Sequence, residues 1–108
     1  MGKTMSIKSV LREEMDNSLR MQERYEQELS KLPKGSLVKR RIKGHDYYYL
    51  VFREDGKVRS VYQGKPTPKE IARYRDARDQ RAKYRKLLSK VKRQVRFLKG
   101  VLRGKDSI

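Results

Sequence analysis

The chain has no cysteine and no tryptophan, and only one histidine and three prolines in 108 residues. Without cysteine there is no disulfide, no thiolate metal ligand and no redox pair. One histidine excludes a multi-histidine metal site. No apolar run approaches the roughly 20 residues that span a bilayer. The opening Met1-Gly2-Lys3-Thr4-Met5-Ser6 leads straight into charged sequence, which is not the pattern of a signal peptide. Acidic residues are scarce as well: 13 Asp and Glu face 30 Lys and Arg, a formal net charge of +17. The length predicts one small domain over residues 1–108, without room for a large catalytic cleft. We expect a cytoplasmic protein without cofactor or metal, whose charge calls for an acidic partner, nucleic acid before others.

The charge is unevenly placed. Residues 1–32 carry six basic and six acidic side chains, residues 33–66 nine and three, and residues 67–108 fifteen and four. Such asymmetry predicts one segment for folding and two for contact.

Residues 7–32 read as a helix. Ile7, Leu11, Met15, Ser18, Gln22, Tyr25, Leu29 and Leu32 recur at spacings of four and three, which sets them on one helical face. Ser6 is a suitable cap, and Pro33 ends the run because proline has no N–H and crowds the turn before it.

From 35 to 64 the period shortens to two. Ser36–Ile42 and Val58–Tyr62 flank the aromatic run Tyr47-Tyr48-Tyr49-Leu50-Val51-Phe52. Lys43-Gly44-His45-Asp46 reads as one turn and Glu54-Asp55-Gly56-Lys57 as the next, the latter with the Asp-Gly pair of tight hairpins. Three strands so spaced predict an antiparallel meander with Tyr48, Leu50 and Phe52 on one face and Tyr47, Tyr49 and Val51 on the other. A sheet this small needs a helix over one face.

Residues 67–103 read as a long basic helix. Thr67 caps, Pro68 fits the first helical position, and Glu70 stands where a capping box places its acid. Tyr74, Ala77, Arg81, Tyr84, Leu88, Val91, Val95, Leu98 and Leu102 alternate spacings of three and four, a heptad seam. The fold class is therefore α+β: an N-terminal helix, a three-stranded antiparallel meander and a long basic C-terminal helix. Antiparallel pairing of the two helices, or a homodimer through the last seam, would bury the apolar stripes.

Two groups of cations are candidate nucleic-acid contacts. Arg78, Lys83, Arg85, Lys86, Lys92, Arg93, Arg96 and Lys99 lie off the heptad seam in rows along the helix, joined by Arg75, Lys90 and Arg103. Acidic partners at helical spacing, which would make this a balanced solvated face, are missing between Asp79 and Asp106. Rows of cations on a rod suit rows of phosphates. In the meander, Lys39, Arg40, Arg41, Lys57 and Arg59 frame the tyrosines. Tyr47 and Tyr49 either pack as half-buried sheet residues or stack on bases. His45 beside Asp46 has no nucleophile or further ligand near it in sequence, and neither paired carboxylates nor a glycine-rich phosphate loop is present. These absences predict a protein that is not an enzyme.

The segments Leu32-Pro33-Lys34-Gly35-Ser36-Leu37, Tyr47-Tyr48-Tyr49-Leu50, Gly56-Lys57-Val58 and Tyr62-Gln63-Gly64-Lys65 carry a resemblance over roughly residues 32–100. The chain resembles small uncharacterised bacterial and archaeal domains of unknown function with this core and a charged helix after it. More weakly, the meander is similar to N-terminal segments of some insertion-sequence transposases. The resemblance implies a phage, plasmid or other mobile-element setting and supplies no catalytic residue.

Two functions compete. The first is a non-enzymatic nucleic-acid-binding protein, alone or within a nucleoprotein complex. The alternative is a small inhibitor or adaptor that docks on a nucleic-acid enzyme, as anti-CRISPR proteins do. Membrane-surface binding by residues 81–103 ranks last, because that stretch lacks tryptophan and offers Phe97 as its bulky aromatic anchor.

Overall fold

The structure, a computed structural model, describes residues 6–104; the Met1–Met5 part of the opening segment lies outside them. The element order is α1 (Ile7–Ser30), β1 (Ser36–Ile42), β2 (His45–Glu54), β3 (Lys57–Gly64) and α2 (Pro68–Arg103). The α+β class and the order of elements are those the sequence predicts. Among the described residues no helix is long and apolar enough to cross a membrane.

Both helix starts are capped as their sequences demand. The Ser9 N–H donates to Ser6 Oγ at 3.1 Å, and the Glu70 N–H donates to Thr67 Oγ1 at 3.2 Å. Each bond satisfies one of the orphan donors of a first helical turn. α1 stops at Ser30, two residues short of the expected Leu32, because the residue before a proline is driven out of helical geometry. Ser30 Oγ closes the end by donating to the Gln27 carbonyl at 2.6 Å.

The chain forms two compact units, one of residues up to Ser30 with those from Lys83 onward, the other of Lys31–Ala82. α2 contributes residues 68–82 to the second unit and 83–103 to the first.

In the first unit the ring of Tyr25 meets that of Tyr84 at 6.0 Å between centroids. Val91, Val95 and Leu98 are only 3%, 6% and 5% exposed. From Tyr84 to Leu98 is about 21 Å of helix at 1.5 Å per residue. α1 has five residues after Tyr25 and eighteen before it. Only an antiparallel α1 is long enough to cover that stretch. Within this unit the Val91, Val95 and Leu98 part of the seam is thus covered by the same chain. Ser18 is the buried residue of α1 at 2% exposed; Ile7, expected on the same stripe, is 67% exposed.

Gly100 lies inside α2, and a Cβ built on it meets nothing within 4 Å. Replacing it with alanine removes backbone entropy from the unfolded chain without cost to packing. Gly100→Ala should raise stability by about 0.5–1 kcal/mol, read as a higher urea midpoint with an unchanged m-value.

The second unit holds the sheet, in the order β1-β2-β3, antiparallel throughout. The first turn is shorter than expected. Only Lys43 and Gly44 form it, both with positive φ (52° and 80°), and His45 and Asp46 already pair with Ile42 and Arg41. Asp55 and Gly56 repeat the geometry at 52° and 76°. Two consecutive positive φ values make a twist that matches the flanking strands.

Candidate nucleic-acid interface

Residues 83–103 of α2 carry nine Lys and Arg and no Asp or Glu. The seam on this stretch is buried or half-buried, whereas Lys83, Arg85, Lys86, Lys92, Arg93, Arg96 and Lys99 are all exposed. Among the described residues, no ion pair joins any of these seven to a carboxylate. Lys83 sets its ammonium 5.5 Å from the ring of Tyr84. Arg85, Lys92, Arg96, Lys99 and Arg103 fall along one flank, over about 27 Å at 1.5 Å per residue.

Arg78, grouped with that row by spacing, belongs to the other unit. There Lys39 of β1 and Arg75 and Arg78 of α2 line a cavity of about 330 Å³ together with Tyr48 and Tyr74. α2 lies over the sheet face of Leu37 and Tyr48, which supplies the helix a small sheet requires. Arg78 Nε stands 3.7 Å from Asp79 Oδ1.

Strand register sorts the meander cations by face. Pairing of Arg40 with Tyr47, and of Tyr49 with both Val38 and Tyr62, puts Arg40 on the tyrosine face. Lys39, Arg41, Lys57 and Arg59 alternate onto the opposite face. They therefore do not frame the tyrosines as expected from sequence; of that set only Arg40 does. Arg41 Nη1 stands 3.9 Å from Asp46 Oδ1, and Arg59 Nε stands 3.9 Å from Glu54 Oε1. Exposed pairs of this kind contribute little stability, but each offsets a cation locally.

The tyrosine face gains two residues the sequence reading missed. Arg53 shares it by alternation, and Tyr62 meets Tyr49 at 5.5 Å and Tyr47 at 6.2 Å between ring centroids. Alternation counted outward from Tyr47 finds Arg53. Tyr62 follows from the Asp55-Gly56 turn: the regular pairing that starts at Glu54 with Lys57 carries through to Tyr49 with Tyr62, and only beyond it, where Tyr48 pairs with Gly64, does Gln63 bulge from β3.

A family model, described as a domain of unknown function (DUF6788), matches residues 10–73. The chain belongs to this family. The DUF6788 match takes in most of α1, the whole sheet and the first turns of α2, and it leaves the basic stretch 83–103 outside. Comparison with curated proteins and with solved structures gives no match. The likeness to a family of uncharacterised domains is thereby shown, and the weaker one to transposases is not. Among the described residues no group of three or more His, Asp and Glu is placed to hold a metal ion.

Proposed function

We propose that this DUF6788 protein binds nucleic acid without catalysing a reaction, and that it does so by contacting phosphates through the exposed cations of α2. The observation that supports this reading is the separation of surfaces on residues 83–103. The apolar seam is turned inward, and nine cations with no carboxylate among them are left at the surface. Neutralising phosphates releases condensed counterions, so such a surface gains affinity from charge density alone. Lys39, Arg75 and Arg78, converging on one cavity, supply a second cluster of cations in the sheet-bearing unit. For such a role we propose a cytoplasmic location.

Fluorescence anisotropy with labelled duplex DNA, single-stranded DNA and structured RNA at two salt concentrations tests the reading. Binding at low salt that weakens steeply with added salt is expected. No binding to any of the three at low salt would reject it and favour docking on a protein or nucleoprotein.

His45 and Asp46 play no part in this mechanism. His45→Ala and Asp46→Ala should not weaken binding, and loss of the Arg41 pairing should cost less than about 1 kcal/mol of stability. Lost function in a folded His45→Ala variant would argue for chemistry at that strand end.

A further inference from the structure

The sheet face turned away from α2 is aromatic and open. Tyr62 is 55% exposed although it touches two other rings. The ring pairs are tilted by 46° and 56° rather than stacked flat, so they leave a depression between them. Ile42, Tyr47, Tyr49 and Tyr62 line it, enclosing about 300 Å³, at the lower end of the range for small-ligand sites. The guanidinium of Arg40 stands 5.9 Å from the centre of the Tyr49 ring. By register Arg53 lies on the same face, and no Asp or Glu does.

We propose that this face is a stacking platform for the unpaired bases of a single-stranded nucleic acid, with Tyr62 as the exposed contact ring and Arg40 beside it for the backbone. The inference rests on the nucleic-acid reading above and narrows it to strands with free bases. Two arginines and no carboxylate make the face complementary to a polyanion and repulsive to a second copy of itself. A duplex offers the platform only base edges, since its ring faces are already stacked within the helix. A single strand offers ring faces, and aromatic side chains bind these regardless of sequence. Cross-strand pairing sets Tyr62 against Tyr49 and within ring contact of Tyr47, so the site is assembled by the sheet and not by one strand.

The chain has seven tyrosines, three of them on this face, and no tryptophan, so emission from these rings is read without a tryptophan background. Three probes separate base from phosphate: a short oligodeoxythymidylate, an abasic strand of the same length, and a duplex of the same length. Wild-type protein should bind the thymidylate with quenched tyrosine emission, and the abasic strand more weakly and without quenching. Tyr62→Ala should weaken thymidylate binding by about 5- to 150-fold, the range for one stacked base, and leave duplex and abasic binding unchanged. Tyr62→Phe, which keeps the ring, should restore affinity. Equal binding of thymidylate and abasic strands, or unchanged thymidylate affinity in Tyr62→Ala, would overturn the platform while leaving phosphate binding in place. Concentration-dependent self-association abolished by Tyr62→Ala would also overturn it, and would give the face to a second copy. Failure of the wild type to bind any probe would remove the nucleic-acid reading and the platform together.

Discussion

Glutamine at Arg85, Lys86, Lys92, Arg93 and Arg96 together is expected to flatten the salt dependence of duplex binding by about 4.5 units on a log–log plot, at about 0.9 per phosphate contact. All five side chains are exposed, and none belongs to the Tyr84, Leu88, Val91, Val95 and Leu98 seam. Glutamine is a good helix former of similar length, so the helix should persist. If affinity at 1 M salt is unchanged, the same slope difference amounts to about 4.5 decades of affinity at 0.1 M. The loss should be alike on unrelated sequences, because phosphate contacts carry no sequence information directly. Anisotropy titrations across a salt series measure the slope, and circular dichroism checks the helix. An unchanged slope with full affinity would move the binding surface to the cations of the sheet-bearing unit, around Lys39, Arg40, Arg75 and Arg78.

Gly35→Ala should cost about 2–4 kcal/mol, a large share of the roughly 5–15 kcal/mol that holds a small domain together. Two causes add. Gly35 has φ +93°, which an L side chain rarely adopts. A Cβ there would also stand 2.9 Å from the Val51 carbonyl oxygen and 3.2 Å from Phe52 Cβ, so the loop would be pushed off the sheet. The same loop is held from its other side. Arg81 donates from Nη2 to the Pro33 carbonyl at 2.6 Å and to the Gly35 carbonyl at 3.4 Å, bonds that a displaced loop would break. Gly44 and Gly56 isolate the two causes. Both have positive φ, yet a Cβ on either meets nothing within 4 Å. Gly44→Ala and Gly56→Ala should therefore show the backbone cost alone, about 1 kcal/mol each. Urea denaturation of the three variants measures the difference. A Gly35→Ala midpoint no lower than that of Gly44→Ala would sink the close-approach argument.

The periodicity of the chain was enough to place every element. Spacings of three and four set Val91, Val95 and Leu98 on one face, and alternation divided Tyr48, Leu50 and Phe52 from Tyr47, Tyr49 and Val51. Local chemistry was equally legible: Ser6 and Thr67 cap because hydroxyl oxygens accept from a first-turn N–H, and Asp55-Gly56 turns because both residues tolerate positive φ. These outcomes depend on residues within a few positions of one another. The net charge of the last helix, too, is a property of composition.

Tertiary structure decided what depends on residues far apart in sequence. Periodicity puts Arg81 in an apolar seam, where it looks like a defect. The fold brings the Pro33 and Gly35 carbonyls, 48 and 46 residues away, to its guanidinium. Helical spacing groups Arg78 with Arg85 and Lys92; packing against the sheet sets it on one cavity with Lys39 instead. The run Lys39-Arg40-Arg41 reads as one basic patch, but side chains of a strand alternate, so Arg40 faces the tyrosines and its neighbours face away. Tyr62 joins Tyr47 and Tyr49 because β3 folds back on β2 in the register that the Asp55-Gly56 turn sets, and pairing across strands is not carried by the alternation within either one. The sequence alone therefore determined which segments fold and where charge accumulates. Which side chains share a surface was decided by register and packing, since these fix neighbours that the chain itself keeps distant.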